Sequence, residues 1–385
     1  MSEPLLETKN VRFRYERNSP DVLNDVTISI GKNVKTAILG ANGAGKSTLF
    51  SILNALRKPD SGEVLYNGSP LSYRRRDIRK MRSEVSILFQ NPNDMLFRPI
   101  VEQDVAFGPE NMKLPRDEVQ KRVDDALFAV GMSEFRKSPT MKLSYGQRKR
   151  ITLAGVLAMQ PKVLIMDEPT AGLDPQMACE VMEIAEQLHR SGVTVILSSH
   201  DTDLTYSWAD EIHVMRHGSC VYSGEPEPFY SDKVEVYLSG LLPPASFLMN
   251  EGLSSIGTVT REPFPRTQCQ MSAKIGGSKT GKIGTLHIVQ VTDDTDIDAL
   301  MNDYGDMTSG IYGMSARRAQ DHSKAKIDFF YNGPENCTMK CLSGNDAVLF
   351  CDPLMVESAR ASADFVCNNG YADVKIDERD CSRTT

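Results

Sequence analysis

The stretch Gly40-Ala41-Asn42-Gly43-Ala44-Gly45-Lys46-Ser47-Thr48 constrains this chain more than any other. It follows an apolar run, Ala37-Ile38-Leu39, and precedes an apolar helical pattern. Gly40, Gly45, Lys46 and Ser47 occupy the fixed positions of the P-loop spacing G-x-x-x-x-G-K-[ST]. A polyphosphate carries several negative charges, so a loop that holds one must turn its amide N–H groups inward with no Cβ in the way, which glycine permits. The helix opening at 46–48 aims the positive end of its dipole at the same place. On this reading residues 40–48 bind a nucleotide, Lys46 reaches its β- and γ-phosphates, and the Ser47 hydroxyl ligates Mg2+. The fold class that follows is α/β, a P-loop NTPase.

Composition narrows the partners. A formal charge of −7 over 385 residues argues against nucleic acid, whose phosphate backbone calls for a basic face. No run of about 18 apolar residues appears, and Met1-Ser2-Glu3-Pro4 has neither a basic nor an apolar leader character. The expectation is a chain inside the cell that spans no membrane, with its eight cysteines as free thiols.

In chain order, alternating apolar residues over 8–30 predict an antiparallel hairpin with a turn at 17–20. Tyr15 stands where a ring can stack on a base, or where an edge-strand tyrosine simply packs. Residues 85–89 form a compact apolar strand that ends at Gln90, followed by a polar loop and Met95-Leu96-Phe97. Gln90 at that strand mouth can accept from a metal-bound water or orient an attacking one, and the apolar tip suits docking against another protein. Residues 118–130 have the spacing of an amphipathic helix. Leu143-Ser144-Tyr145-Gly146-Gln147 opens a further helix, with Ser144 and Gly146 at an anion-binding start or at an ordinary N-cap. Val163-Leu164-Ile165-Met166 predicts a buried parallel strand with Asp167 and Glu168 at its carboxyl end, the edge where α/β sheets bind ligands. Buried acids without a partner cost on the order of 3 kcal/mol or more. Asp167 is therefore placed in the Mg2+ shell, and Glu168 accepts a proton from water. The next buried strand, 193–200, ends on His200, which can bond a γ-phosphate oxygen.

Taken together, these residues resemble the nucleotide-binding subunit of ATP-binding cassette (ABC) transporters over residues 5–235. The Walker A loop, Q-loop Gln90, signature 143–147, Walker B strand with Glu168, D-loop 171–174 and switch His200 follow in family order. The signature departs from the common Leu-Ser-Gly-Gly-Gln in having Tyr145, which puts a ring near the composite site. The resemblance implies a RecA-like parallel-sheet core, an antiparallel β subdomain and a helical subdomain. It implies ATP and Mg2+ as cofactors, with Ser47, Gln90 and Asp167 as Mg2+ ligands and Lys46, Gln90, Glu168 and His200 as catalytic residues. Tyr15 and residues 40–48 would hold ATP. A second ATPase subunit would offer its Ser144, Tyr145, Gly146 and Gln147 in trans, and Asp174 would couple the two sites. Phe89-Gln90-Asn91-Pro92-Asn93 and the run 143–150 further resemble energy-coupling factor (ECF) importers, especially the cobalt and nickel branch. That implies an ATPase motor at the cytoplasmic face of the cell membrane, coupled to integral membrane subunits. A vitamin-importing motor, a soluble ABC ATPase and a regulatory protein with an idle nucleotide site are the competing readings.

The expected domains are a nucleotide-binding domain over 1–238, a Pro/Gly/Ser-rich linker over 239–283, and a small α/β domain over 284–385. Strands expected near 285–291, 311, 327–331, 347–351 and 371–376, with helices at 296–303 and 353–367, suggest a ferredoxin-like β-α-β-β-α-β order. Beyond residue 235 lie 14 basic and 19 acidic side chains and six of the eight cysteines. Cys337 and Cys341, with His287 or His322, have the chemistry of a soft-metal site, although ordinary thiols explain them as well. The acids at 293–298 read as the charged start of a helix. A regulatory role, sensing the transported ion or touching the membrane partner, is the expectation for this domain.

Overall fold

The structure is a computed structural model and describes residues 3–276 and 281–381. The chain divides into two compact units: residues up to 174 with 192–243 form one, and 175–191 with 244 onward form the other.

In the first unit an antiparallel sheet runs in the order Leu23–Gly31, Pro4–Phe13, Ser61–Tyr66, Ser69–Pro70. The hairpin expected at its start is present, with Thr8 opposite Ile28 and Val11 opposite Val26. Tyr15 lies past the strand end, exposed. Beside this sheet a six-stranded one runs Ser219–Gly224, Glu211–Arg216, Thr36–Leu39, Thr194–Ser198, Val163–Asp167, Val85–Leu88. The last four of these are buried at every position, as a parallel strand covered on both faces must be. A shared core ties the sheets together: Leu6, Val11, Val26 and Ile28 of the antiparallel sheet pack with Leu49, Phe50 and Leu53 of the helix Lys46–Leu53, and with Ile38, Ile165 and Ile196 of the parallel one. Three helices, Val101–Asn111, Arg116–Ala129 and Tyr145–Leu157, pack on each other as a helical block. The strand expected to end on His200 stops at Ser198, so His200 stands beyond the sheet edge. Of the tip at 95–97 only Phe97 is exposed, because Met95 turns its sulfur to the Phe89 N–H at 3.2 Å. The Asp104 carboxylate holds the Phe97 and Arg98 amides at 2.7 and 2.8 Å.

In the second unit four strands, ordered Thr308–Tyr312, Ala347–Cys351, Thr285–Gln290, Lys375–Asp380, are all parallel. This overturns the ferredoxin-like order, whose sheet is antiparallel. The physical reason lies in the strands: Leu286, Ile288 and Leu349 feed one core, while Val289, Val348 and Phe350 feed another on the opposite face. Helices therefore cover both faces. The strand expected at 327–331 reduces to one bridge between Phe329 and Gly310. The helices Met314–Asp321 and Gly333–Leu342 stand to either side of it in the chain. The last strand is shifted to 375–380 and is largely exposed. Asp296 caps the helix Ile297–Tyr304 by accepting the Ala299 N–H at 3.0 Å, as the acidic run suggests.

The segment read as a linker holds two helices, Ala245–Ser255 and Gln268–Gly276. Pro244 caps the first, and the second buries Cys269 and Ala273. The buried Lys274 ammonium bridges them, donating to Asn250 Oδ1 at 2.8 Å, Arg261 O at 3.1 Å and Pro263 O at 2.5 Å. Its prolines punctuate helices rather than unravel the chain. Gly277, counted in that linker, and 382–385, counted in the domain after it, lie outside the described residues.

The helix Pro175–Arg190 belongs to this second unit. Glu183 on it takes both Nη2 and Nε of Arg317, at 2.6 and 3.0 Å, and the Gly313 N–H at 3.3 Å. Arg190 adds Ser358 at 2.9 Å and Glu357.

Cys337 and Cys341 are fully buried in one core with Cys269 and Cys351, and burial pushes the Cys341 thiol up to about 12. His287 pairs with Asp377 at 2.8 Å, and His322 is exposed at a helix end. Among the described residues no group of three or more His, Cys, Asp or Glu is arranged to hold a metal ion.

Candidate active site

The strand Thr36–Leu39 delivers the chain to Gly40, whose φ of +139° and position leave no room for a side chain: a Cβ there would lie 2.2 Å from Met215 O. Gly45, at φ +101°, is the N-cap of the helix Lys46–Leu53. A Cβ at Gly45 would stand 3.0 Å from Leu23 Cδ2 and 3.1 Å from Val22 O, in a conformation that only glycine adopts without strain. Between them Ala44 N–H closes on Ala41 O at 3.1 Å, leaving Ala41, Asn42, Gly43 and, one turn on, Ser47 exposed. The bend thus presents its 41–43 backbone beside a helix start, an arrangement suited to an anion. Lys46 is buried, its ammonium donating to Gly40 O at 2.7 Å and Ala41 O at 3.3 Å.

Across the sheet edge stand the two acids. Asp167 ends its strand directly opposite Ser198 in the parallel pair. The Ser198 hydroxyl donates to Asp167 Oδ1 at 2.6 Å and accepts the Glu168 N–H at 3.1 Å. Glu168 itself has φ +47°, turning its side chain out of the strand's path. One carboxylate oxygen lies 3.7 Å from the Lys46 ammonium, and the other is 3.0 Å from His200 Nδ1. A carboxylate only accepts, so Nδ1 carries the proton. His200 is two-thirds exposed while Glu168 is buried, and Glu168 Oε1 makes no hydrogen bond. Lys46, Asp167, Glu168 and His200 therefore come together as the sequence suggests, with Ser198 as a member that sequence reading missed.

Lys149 is the other missed member. Its ammonium, 1% exposed, donates to Gln90 O at 2.8 Å and lies 3.5 Å from Phe89 O and Glu168 O. Burial pulls its pKa down to about 8, against the pull of the nearby Asp167 and Glu168 carboxylates. Lysine in the run Gln147-Arg148-Lys149 gives no sign in the sequence that it folds inward. Gln90 is exposed, and it is joined to the rest through its main-chain carbonyl.

Ser144 and Gln147 close a reciprocal capping box, Gln147 N–H to Ser144 Oγ at 3.2 Å and Ser144 N–H to Gln147 Oε1 at 2.9 Å. Within one chain these signature residues and Gly146 start a helix, and its side chains reach the loop at 89–93 rather than the bend at 40–48. Gly172, in the turn that leads to Asp174, lies against the Tyr145 ring. Tyr15 donates to or accepts from Thr48 Oγ1 at 2.9 Å, and the Arg57 guanidinium stands 4.4 Å from the centre of its ring.

A bend of exposed amides, a buried lysine and a held carboxylate at one sheet edge is the apparatus for cleaving a phosphoanhydride. Comparisons agree. The family model described as ABC transporter matches residues 23–171. An energy-coupling factor transporter ATP-binding protein EcfA2 of Methanospirillum hungatei is 36% identical over 90% of this chain and 89% of its own length. The EcfA of Methanocaldococcus jannaschii is 46% identical, covering 59% of this chain and 81% of that protein. The solved structure of cbiO1 from Clostridium perfringens, part of the ABC transporter complex cbiONQ, is 38% identical at a TM-score of 0.56, covering 66% of this chain and 96% of that one. Among the described residues no helix is long and apolar enough to cross a membrane. The chain is thus an ABC transporter ATPase, and it belongs to the energy-coupling factor transporter ATP-binding proteins.

Proposed function

We propose that this chain is the motor of an importer for cobalt or nickel ions, working as one of two facing ATPase subunits on the cytoplasmic face of the membrane, beneath integral membrane partners. The observation that carries the hydrolytic part is the joining of Lys46, Glu168 and His200 through one buried carboxylate. Similarity to cbiO1, part of the ABC transporter complex cbiONQ, supports the transporter motor, and the metal-ion substrate rests on the resemblance of 89–93 and 143–150 to the cobalt and nickel branch of ECF importers.

In this reading Tyr15 stacks on the adenine, and residues 40–48 wrap the phosphates. The donor set fits Mg2+: Ser47, Gln90 and Asp167 offer the oxygen ligands that a hard cation takes. When bound, Mg2+ would neutralise charge on the phosphate oxygens. Lys46 leaves the carbonyls of its own loop for the β- and γ-phosphates. Gln90 orients the attacking water, and Glu168 accepts its proton as the new bond to the γ-phosphorus forms and the bond to the bridging oxygen breaks, ADP leaving with that oxygen. As an imidazolium, in which both ring nitrogens donate, His200 holds the carboxylate through Nδ1–H and offers Nε2–H to a γ-phosphate oxygen. Ser144, Tyr145, Gly146 and Gln147 of the facing subunit close the site, and Asp174 links one site to the other. Closing and opening pass through the surface from Gln90 to Phe97 to the membrane partner. The C-terminal α/β domain is regulatory.

The test purifies the full chain with its co-purifying membrane subunits into liposomes and follows ATP-dependent uptake of Co2+ and Ni2+. Uptake of either ion is expected. Glu168→Gln is expected to lower hydrolysis by about a hundredfold or more with ATP still bound. Uptake of a vitamin and neither ion would remove the substrate assignment, and unchanged turnover in Glu168→Gln would remove the catalytic one.

A further inference from the structure

Tyr145, Arg148 and Lys149 lie at i, i+3 and i+4 of the helix Tyr145–Leu157 and so share one face. All three reach the same loop. Tyr145 donates its hydroxyl to Gln90 O at 3.5 Å, Lys149 donates to that carbonyl at 2.8 Å, and Arg148 donates to Asn93 Oδ1 at 2.6 Å. Arg148 is tied back to its own helix start through Leu143 O at 3.1 Å. The Tyr145 ring also rests on the turn before Asp174, where a Cβ on Gly172 would meet its Cε1 at 3.2 Å.

Lys149 extends the grip to a second strand. Val85–Leu88 and Val163–Asp167 are neighbours in the parallel sheet, with Leu88 beside Met166, and they leave it side by side. An ammonium has three N–H donors. Here three carbonyls surround it, Gln90 and Phe89 from the first strand's exit and Glu168 from the second's. Taking an ammonium out of water is costly unless such oxygens replace the water. An apolar side chain would fill the same space without that cost, and it would leave the two exits unconnected.

We infer that Tyr145, Arg148 and Lys149 are positioning residues for hydrolysis: they fasten the loop carrying Gln90 to the helix begun by Ser144, and Lys149 fixes the Glu168 backbone to the same point. A shift of the 89–93 loop then carries the helix start and the Glu168 main chain with it. The three side chains act through Gln90 and Glu168. This rests on the roles proposed above for Gln90 and Glu168 in hydrolysis, and not on which substrate is transported.

The test uses the full chain with Lys149→Met, which keeps length and removes charge, Lys149→Arg, which keeps the cation, and the half-exposed Arg148→Met. Steady-state hydrolysis, ATP affinity and amide hydrogen exchange are read on each. Lys149→Met is expected to lower kcat by about tenfold or more with KM for ATP within about twofold, since misplacement of a reacting group by an ångström has effects of this size. Exchange should quicken at 89–97 and not at 40–48. Lys149→Arg should recover most of kcat, and Arg148→Met should quicken exchange at 89–97 alone. The inference is overturned if Lys149→Met turns over normally, if Lys149→Arg falls as far as Lys149→Met, or if exchange quickens throughout the chain. Should Lys149→Met fail to fold, Arg148→Met decides: unaltered exchange at 89–97 overturns the inference.

Discussion

At the scale of single residues, the site depends on side chains whose importance lies in what they face. Ser198 is the clearest case, because one hydroxyl satisfies both the Asp167 carboxylate and the buried Glu168 amide. Ser198→Ala strands both groups, and a buried donor left without an acceptor costs about 1–3 kcal/mol. The expected outcome is a loss of unfolding free energy of that size, read as a lower urea midpoint, together with a fall in kcat that exceeds any change in ATP affinity. The gathering of Lys46, Asp167, Glu168 and His200 at one sheet edge was legible in the sequence, because the P-loop spacing places the lysine and the apolar runs that lead into charged residues point to the carboxyl edge of the sheet. Ser198 and Lys149 were not. Ser198 owes its place to cross-strand register, and Lys149 to the reach of a helix side chain across a sheet edge; neither is written in local spacing. Tyr145 was visible only as a departure from a pattern, while its contact with Gly172 is a fact of packing.

At the scale of elements, the strand Glu211–Arg216 carries a titratable group into the core. His213 is fully buried, its Nδ1 hydrogen-bonded to Ser223 Oγ at 2.8 Å, and burial pulls its pKa down to about 4. The unfolded chain takes up a proton as pH falls below the usual histidine value of about 6.5, while the folded chain does not until about 4. Stability is therefore unaffected by this group above that window and declines through it, by about 2 kcal/mol at pH 5. Urea unfolding at pH 7 and pH 5 should show the decline, and His213→Phe should lessen it. The strands of the nucleotide-binding unit were legible because apolar runs bounded by turn signals mark buried parallel strands. The same rule applied to 347–351, where Ala, Val, Leu, Phe and Cys are all buried, points to a parallel sheet rather than an antiparallel one. Prolines at 243, 244, 263 and 265 concealed the helices they flank, since proline marks a helix start as well as a loop.

At the scale of the molecule, the second unit is held by charge as well as by apolar packing. Glu183 and Arg317 are both almost wholly buried, and burial pushes the Glu183 carboxyl up although Arg317 and the Gly313 amide oppose it. Removing one partner of such a pair leaves an uncompensated charge and costs about 3–5 kcal/mol, whereas replacing both with apolar residues costs much less. Arg317→Met alone should lower the urea midpoint of amide protection in 285–380, and Glu183→Leu with Arg317→Met should restore most of it. A double variant no better than the single would show that the pair contributes little.

The route of the chain gives the second unit an order of assembly. It takes one helix from 175–191 and everything else from residues after 243, with more than fifty residues of the first unit strung between. A ribosome releases the helix long before Gly313, Arg317 or Ser358 exists to receive Glu183 and Arg190. The nascent chain must therefore carry Glu183 and Arg190 without these partners until residues 313–358 have emerged.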